Sequence, residues 1–384
     1  MANSKYRVLI VARHPVGGIR TFIRYVYTNF DRQKYSLTLL APDVPDLDIL
    51  HEDLEGLAEK FIRIDKNGGL LDFLRAIWNT LRRGCFDIVH SQGFTSGVLT
   101  SVPARVFRIP HIMTSHDILQ SSQFPGVRGR LKKLSLSYSL PLVDLIHCVT
   151  EDAERNLLEF IPALRRHRKR VMTIRNGIEI DRFLSEERED LRKKLKLGDD
   201  VFIIGFLGRF MSQKGFKYLL EAVAQLKKNS KLPKRPVVLT FGKGDGFYRE
   251  EMEIVKKMEL QSSVFFLEPV PNIADIIRNF DVLAIPSLWE ACGLVAMEGM
   301  VAGVPVIGTD CIGLREVLQD TPAIAVPVRD AATLADAIIK EMKNPSKAKF
   351  EAFAHEAAER FDVKVQAREL EKVMLSLIGK EKYN

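Results

Sequence analysis

Cysteine is scarce. The 384 residues contain four, Cys85, Cys148, Cys292 and Cys311, far apart and without paired spacing. That argues against a disulfide framework or a cysteine-built zinc site and suits a reducing compartment. Long apolar runs are also missing: none approaches the roughly 20 residues of a spanning helix. Val8 to Ala12 is too short for the apolar part of a secretory signal and leads straight into a glycine loop. The expected location is therefore cytoplasmic, with any membrane contact peripheral. Acidic residues are outnumbered, 49 against 57 Lys and Arg, giving a formal charge of +8 and a pI near 9.2. The balance favours anionic partners such as nucleotides or phospholipid surfaces. No nucleic-acid-binding signature accompanies it, so nucleic acid is not an expected partner. Internal repeats and low-complexity tracts are absent too.

What is present is globular: 46% hydrophobic and 28% charged residues, and chain enough for two domains. Short buried-strand runs recur, each ending in a polar or glycine-rich loop and followed by a helical pattern, as in an open parallel sheet. Arg7 to Ala12 leads into His14-Pro15-Val16-Gly17-Gly18 and a helix from Ile19 to Phe30. The Gly-Gly loop lets a backbone approach a phosphate or sugar, or is a tight turn only. It has the spacing of neither the dinucleotide fingerprint nor the P-loop. Further strands are expected at Tyr35 to Leu40, Asp87 to His90, His111 to Thr114 and Asp144 to Val149. A lone histidine is usually a satisfied core or surface group, which is the reading for His14 and His90. His116 stands apart because it follows a strand end within Thr114-Ser115-His116-Asp117 and opens a polar loop.

Val127 to Leu142 is basic and amphipathic, with Arg128, Arg130, Lys132 and Lys133 beside Leu131, Leu134, Leu136 and Tyr138. It reads as a surface for anionic lipid or as a solvated face. Arg165 to Arg170 is a denser basic run. Asn176-Gly177-Ile178 with Asp181 and Phe183 closes a first domain, residues 1–183. Residues 184–200 read as a charged linker with a short helix, 201–362 as a second domain and 363–384 as a terminal amphipathic helix.

The second domain opens with the strand Val201 to Phe206 and a loop bearing Gly208-Arg209 and Lys214-Gly215. Two cations five residues apart at a strand end can clamp a diphosphate. Further strands are expected at Val237 to Phe241, ended by the tight loop Gly242 to Asp245, and at Val264 to Leu267, which exits through Glu268-Pro269-Val270-Pro271. The strand Val282 to Ile285 then ends at Pro286-Ser287. A loop carries Glu290 and Gly293, a helix runs from Leu294 until Gly303, and Val304 to Ile307 is the next strand. Glu290 falls where such sheets bind ligands. Glu298 lies about one turn into the helix. The amides of Gly293, Leu294 and Val295 make a helix start that favours negative charge. Amides for a phosphate and carboxylates for hydroxyls suit a phosphate flanked by polyols; the alternative is an ordinary strand–helix unit with two surface glutamates.

Pro286, Ser287, Glu290, Gly293, Glu298, Gly303, Pro305, Val306 and Ile307, with the two glutamates seven residues apart, resemble the signature of glycosyltransferase family 4. Cys292 stands where members often carry an aromatic. Gly208-Arg209 with Lys214-Gly215 matches a second motif, and the resemblance extends over nearly the whole chain. It implies the α/β GT-B fold: two Rossmann-like domains whose parallel sheets face a central cleft, with the segment after Phe361 crossing back to the first domain. It implies a retaining hexosyl- or N-acetylhexosaminyltransferase, moving a sugar from a nucleoside diphosphate, with uridine preferred here, to a hydroxyl of a glycan or lipid-linked acceptor in envelope or polysaccharide synthesis. By the resemblance Arg209 and Lys214 hold the diphosphate, Glu298 the ribose, Glu290 the sugar, and Val270 lines the base. Gly18 lies over the diphosphate, and His116 faces the donor sugar. The nucleotide sugar is a co-substrate and no cofactor is expected. Asp46-Leu47-Asp48 reads as surface, so no metal requirement is expected either. An epimerase, a glycogen-type synthase and a non-catalytic nucleotide-sugar binder remain alternatives.

Overall fold

A computed structural model describes residues 5–184, 190–241, 246–268, 270 and 272–381. The chain forms two compact units: Met1–Gly177 with Val363–Asn384, and Ile178–Asp362.

The first unit is built on seven parallel strands, β1 (Tyr6–Ala12), β2 (Tyr35–Pro42), β3 (Ala58–Ile64), β4 (Ile88–Gln92), β5 (His111–Ser115), β6 (Leu145–Cys148) and β7 (Val171–Thr173). Their order is β3-β2-β1-β4-β5-β6-β7. Central strands such as β1 and β4 are almost continuously buried because helices cover both faces, and this is why they read as unbroken apolar runs. The order reverses between β1 and β4, which pair directly, Ala12 opposite Gln92. The helix Val363–Glu381 belongs to this unit. Its Gln366 accepts from the Gly177 amide at 2.9 Å and donates to Asn176 Oδ1 at 2.7 Å. Asp46 and Asp48 lie in the first turn of the helix Pro45–Asp53 and pair with Arg20 and Arg63.

The second unit holds β8 (Val201–Leu207), β9 (Arg235–Phe241), β10 (Val264–Leu267), β11 (Val282–Ile285), β12 (Val306–Thr309) and β13 (Ile324–Val326). All are parallel, in the order β10-β9-β8-β11-β12-β13. Its core packs Phe202, Ile204 and Phe206 of β8 against Leu219, Leu220 and Val223 of the helix Phe216–Lys227. Ile178 donates to the Phe361 carbonyl, and buried Phe183 receives Arg278 on its carbonyl, so by its contacts the stretch from Ile178 to Leu184 is part of this unit. Among the described residues no helix is long and apolar enough to cross a membrane. The loop Gly242 to Asp245, and Pro269 and Pro271 of the β10 exit, lie outside the described residues.

Candidate active site

In an open parallel sheet the loops on either side of a reversal in strand order leave a crevice at the strands' carboxyl ends. In the second unit that reversal falls between β8 and β11. The loop after β8 carries Arg209 and Lys214, and the loop after β11 carries Glu290. Two adjacent strands thus bring residues 76 positions apart into contact: Lys214 Nζ lies 2.7 Å from Glu290 Oε1. Ser287 Oγ donates to the same oxygen at 2.7 Å.

The loops are fastened to each other through backbone. The Leu288 amide donates to the Gln213 carbonyl at 2.7 Å, and Gln213 Nε2 donates to the Trp289 carbonyl at 2.9 Å. Gly215 has φ +65°, and a Cβ there would stand 1.9 Å from the Pro286 carbonyl oxygen, so only glycine allows this approach. A third loop, after β12, holds Glu290 from behind. The Glu290 amide donates to the Ile312 carbonyl at 3.0 Å, and Gly313, at φ +81°, leaves room where a Cβ would fall 2.0 Å from the Glu290 carbonyl oxygen. Ser287, Gln213 and Gly313 therefore position the pair. Ser287 was visible only as part of the motif. Gly313, in the Ile312-Gly313-Leu314 string, gave the one other local signal.

The helix Leu294–Val301 starts from Gly293 as its N-cap. The Leu294 amide bonds the Cys292 carbonyl at 3.0 Å, and the Ala296 amide bonds the Gly293 carbonyl. Among the described residues the amides of Gly293 and Val295 find no acceptor, which leaves them as the donors of the helix start. Glu298 is buried on this helix. Arg209 is exposed and makes no ion pair among the described residues. Val270 is half-buried beyond the end of β10.

His116 and Gly18 belong to the first unit. Gly18 is exposed and opens the helix Gly18–Tyr27; the unusual backbone, φ +55°, is at Gly17, and nothing lies within 4 Å of a Cβ built on Gly18. The tight turn therefore needs Gly17, and the space above Gly18 is open. His116 follows β5, and its Nε2 is 2.8 Å from Gln92 Oε1. Beside it lies a polar chain that the sequence did not disclose. Tyr27 Oη is 2.5 Å from His90 Nδ1, His90 Nε2 is 2.6 Å from Thr114 Oγ1, Thr114 Oγ1 is 3.0 Å from His147 Nδ1, and His147 Nε2 is 2.8 Å from the Ile174 carbonyl oxygen.

That carbonyl only accepts, so it orders the protons of the whole chain. His147 Nε2–H donates to Ile174, and Thr114 donates to His147 Nδ1. His90 Nε2–H then donates to Thr114, and Tyr27 donates to His90 Nδ1. Every imidazole in it is neutral. Burial holds His90 well below the ordinary 6.5, with His147 and His116 adding to the effect; burial takes His147 to about 4, against the bond to Ile174. His116, partly open at its surface, is lowered to about 3 by burial and by His147. At neutral pH it is a hydrogen-bonding group and not an acid.

Two parallel α/β units of this strand order, one with a cation–carboxylate pair at its switch point, define the GT-B class of fold. Solved structures agree. Anabaena HepE in complex with UDP and glucose superposes with a TM-score of 0.80 over 97% of this chain and 100% of that one, at 19% identity. Sucrose-phosphate synthase of Thermosynechococcus elongatus gives 0.76 over 98% and 100%, at 18% identity. Two family models match in succession, "Glycosyltransferase Family 4" over residues 16–182 and "Glycosyl transferases group 1" over 187–360. The chain belongs to glycosyltransferase family 4. Among curated relatives, D-inositol 3-phosphate glycosyltransferase of Nocardia farcinica is 26% identical over 266 residues, 66% of this chain and 58% of that protein. That of Corynebacterium kroppenstedtii is 26% identical over 318 residues, 78% and 68%. The chain thus spans about three fifths of the length of the first of these relatives.

Proposed function

We propose that the protein is a retaining glycosyltransferase that moves a hexosyl or N-acetylhexosaminyl group from a nucleoside-diphosphate sugar, UDP-linked by preference, to a hydroxyl of a glycan or lipid-linked acceptor in envelope or polysaccharide synthesis. The observation that carries this is the 2.7 Å pair of Lys214 and Glu290 at the switch point of the second unit. The anomeric C–O bond of the donor breaks and its electron pair goes to the diphosphate. Lys214, Arg209 and the free amides at Gly293 and Val295 stabilise that charge. Glu290, already oriented by Ser287, takes the sugar hydroxyls, and Glu298 takes the ribose. The new C–O bond forms on the face the diphosphate leaves, and the acceptor's proton passes to the departing phosphate oxygen. Two cations and a helix start supply the charge stabilisation, and the proposed reaction needs no metal or cofactor. A UDP-linked donor is supported by the HepE structures, which hold UDP, UDP with glucose, and UDP-glucose.

The test is a melting screen followed by a turnover assay. A saturating UDP-sugar, at about a hundred times its Kd, is expected to stabilise the chain by about 2.7 kcal/mol, and slow release of UDP should accompany it. Stabilisation by no nucleoside-diphosphate sugar, or only by GDP-sugars, overturns the donor assignment. A donor isomerised without acceptor marks an epimerase.

The first unit supplies a reason to place the reaction at a membrane surface. The helix Gly126–Ser139 leaves Val127, Leu131, Leu134 and Tyr138 exposed at 72%, 60%, 50% and 76%. At 100° per residue these four fall within an arc of about 60°. Its buried residues, Gly129 and Leu136, lie on the opposite side, where Gly129 sits so close to Phe124 that a Cβ would meet backbone at 2.0 Å. The helix is thus held by its back and turns its apolar stripe outward. Arg128 and Arg130 flank the stripe on its two sides, Lys132 and Lys133 turn back over the rings of Phe124 and Phe160, and the helix has no acidic residue. Apolar side chains with flanking cations match an anionic bilayer surface. The chain is expected to co-sediment with vesicles of mixed anionic and zwitterionic lipid and not with zwitterionic vesicles. Leu131→Glu with Leu134→Glu should abolish binding. Retained binding by that variant refutes the assignment.

A further inference from the structure

Strand order also reverses between β1 and β4 of the first unit, and a polar pair sits there that the chemistry above does not use. Gln92 is the last residue of β4 and is 2% exposed. Its Oε1 is 2.8 Å from Nε2 of His116, just past β5, while its own Nε2 is sealed from solvent without a hydrogen-bond partner among the described residues. Phe22 packs edge-on against the imidazole, ring centroids 4.7 Å apart. Gln92 and Phe22 thus fix the ring from two directions.

A carboxamide oxygen only accepts, so this contact puts the imidazole proton on Nε2. The Nδ1 of His116 has no partner among the described residues and is not sealed from solvent. A buried amide with an unmade donor is costly, and an apolar side chain of the same length would avoid the cost. Packing alone therefore gives no reason for glutamine here. Tautomer control does, because only a polar group at this point dictates which imidazole nitrogen carries the proton.

We propose that Gln92 is a positioning residue that locks His116 in the Nε2–H tautomer, presenting the Nδ1 lone pair at the carboxyl end of the sheet to accept a hydrogen bond from a substrate hydroxyl. That the hydroxyl belongs to a sugar substrate rests on the function proposed above. The lock itself does not. His116 then reads the presence and direction of one hydroxyl and donates no proton in the reaction.

The lock is read directly from the full chain labelled with 15N-histidine, by long-range 1H–15N correlation, with His116→Gln used only to assign the signal. Wild type is expected to show His116 as a single Nε2–H tautomer. Gln92→Met, close in volume and apolar, should fold at least as stably, turn the His116 signal into a tautomer mixture, and lower kcat/KM about ten- to a hundredfold. Gln92→Glu sets a carboxylate against the ring, which favours the imidazolium and so protonates Nδ1 as well; transfer should stay low although Nε2–H is kept. An Nδ1–H tautomer in wild type, or an unchanged His116 signal in Gln92→Met, overturns the lock. A changed tautomer with unchanged transfer overturns its role in the reaction. A changed tautomer in a protein whose wild type transfers no sugar leaves the lock standing and refutes the function.

Discussion

Lys214→Ala is expected to lower sugar transfer by about 10²- to 10³-fold, the usual cost of removing one preorganised group from a developing oxyanion. The structure adds a second expectation, on stability. Glu290 is 8% exposed in its side chain and Lys214 is 25% exposed. Removing the ammonium leaves the carboxylate with the Ser287 hydroxyl as its remaining side-chain partner among the described residues. Breaking a sealed ion pair costs about 3–5 kcal/mol. Water reaches part of this one, so about 1–2 kcal/mol is the appropriate scale. The two effects separate in a double variant. Glu290→Gln on the Lys214→Ala background removes the unpaired charge, and the amide still accepts from Ser287, so the melting temperature should return most of the way to wild type. Transfer should not return, since both the cation and the carboxylate are gone. Near-wild-type transfer in Lys214→Ala, or recovery of both quantities together in the double variant, shows that the pair holds the loops and does nothing more.

Much of the second unit was legible before the structure because its strands are buried on both faces. Val201 to Phe206 and Val282 to Ile285 read as unbroken apolar runs and are strands β8 and β11. The edge strand β3 escaped notice for the converse reason. Glu59, Lys60 and Arg63 face water along it, and AEKFIRI has no apolar run. The helix Gly93–Val106 is not anticipated from the sequence, since Gly93, Gly97 and Pro103 interrupt its helical pattern. Packing overrides that propensity: Gly97 lets the helix settle onto Met113, whose Sδ would lie 2.1 Å from a Cβ. Glu290 and Lys214 were each recognisable from local motifs. Their contact was not, because it depends on β8 and β11 being neighbours in space with β9 and β10 placed to one side. The histidine chain is the extreme case. Thr114 on β5 faces His147 on β6 to one side and Gln92 on β4 to the other, a coincidence of register that no local pattern records.

Two fully buried imidazoles, His147 of that chain and His111, whose Nε2 lies 2.7 Å from Ser91 Oγ, make the first unit acid-sensitive well above the range in which carboxylates titrate. In the unfolded chain each imidazole takes up a proton near its ordinary value of about 6.5. In the folded unit burial delays this, to about 3 at His111 and about 4 at His147. Between those limits the unfolded state binds more protons than the folded one, so stability is complete above about pH 6.5 and falls as the pH drops towards the folded values. Each fully buried imidazole contributes a slope of roughly 1.4 kcal/mol per pH unit once below about pH 6. His111 and His147 together then remove roughly 3–4 kcal/mol between pH 7 and pH 5, a large share of an ordinary domain's stability. The two tryptophans make the unit observable, because Trp78 lies in the first unit and Trp289 in the second. With Trp289→Phe, urea unfolding followed by Trp78 fluorescence should show a midpoint that drops steeply from pH 7 to pH 5. His147→Gln removes one of the titrating rings while keeping a side chain able to donate to the Ile174 carbonyl, and it should flatten that dependence by about one proton's worth of slope. An equal midpoint at both pH values, or a slope untouched by His147→Gln, means that these imidazoles already carry protons in the folded unit. The proton order derived from Ile174 through Thr114 to Tyr27 then fails with them, because a doubly protonated His147 ring cannot accept from Thr114.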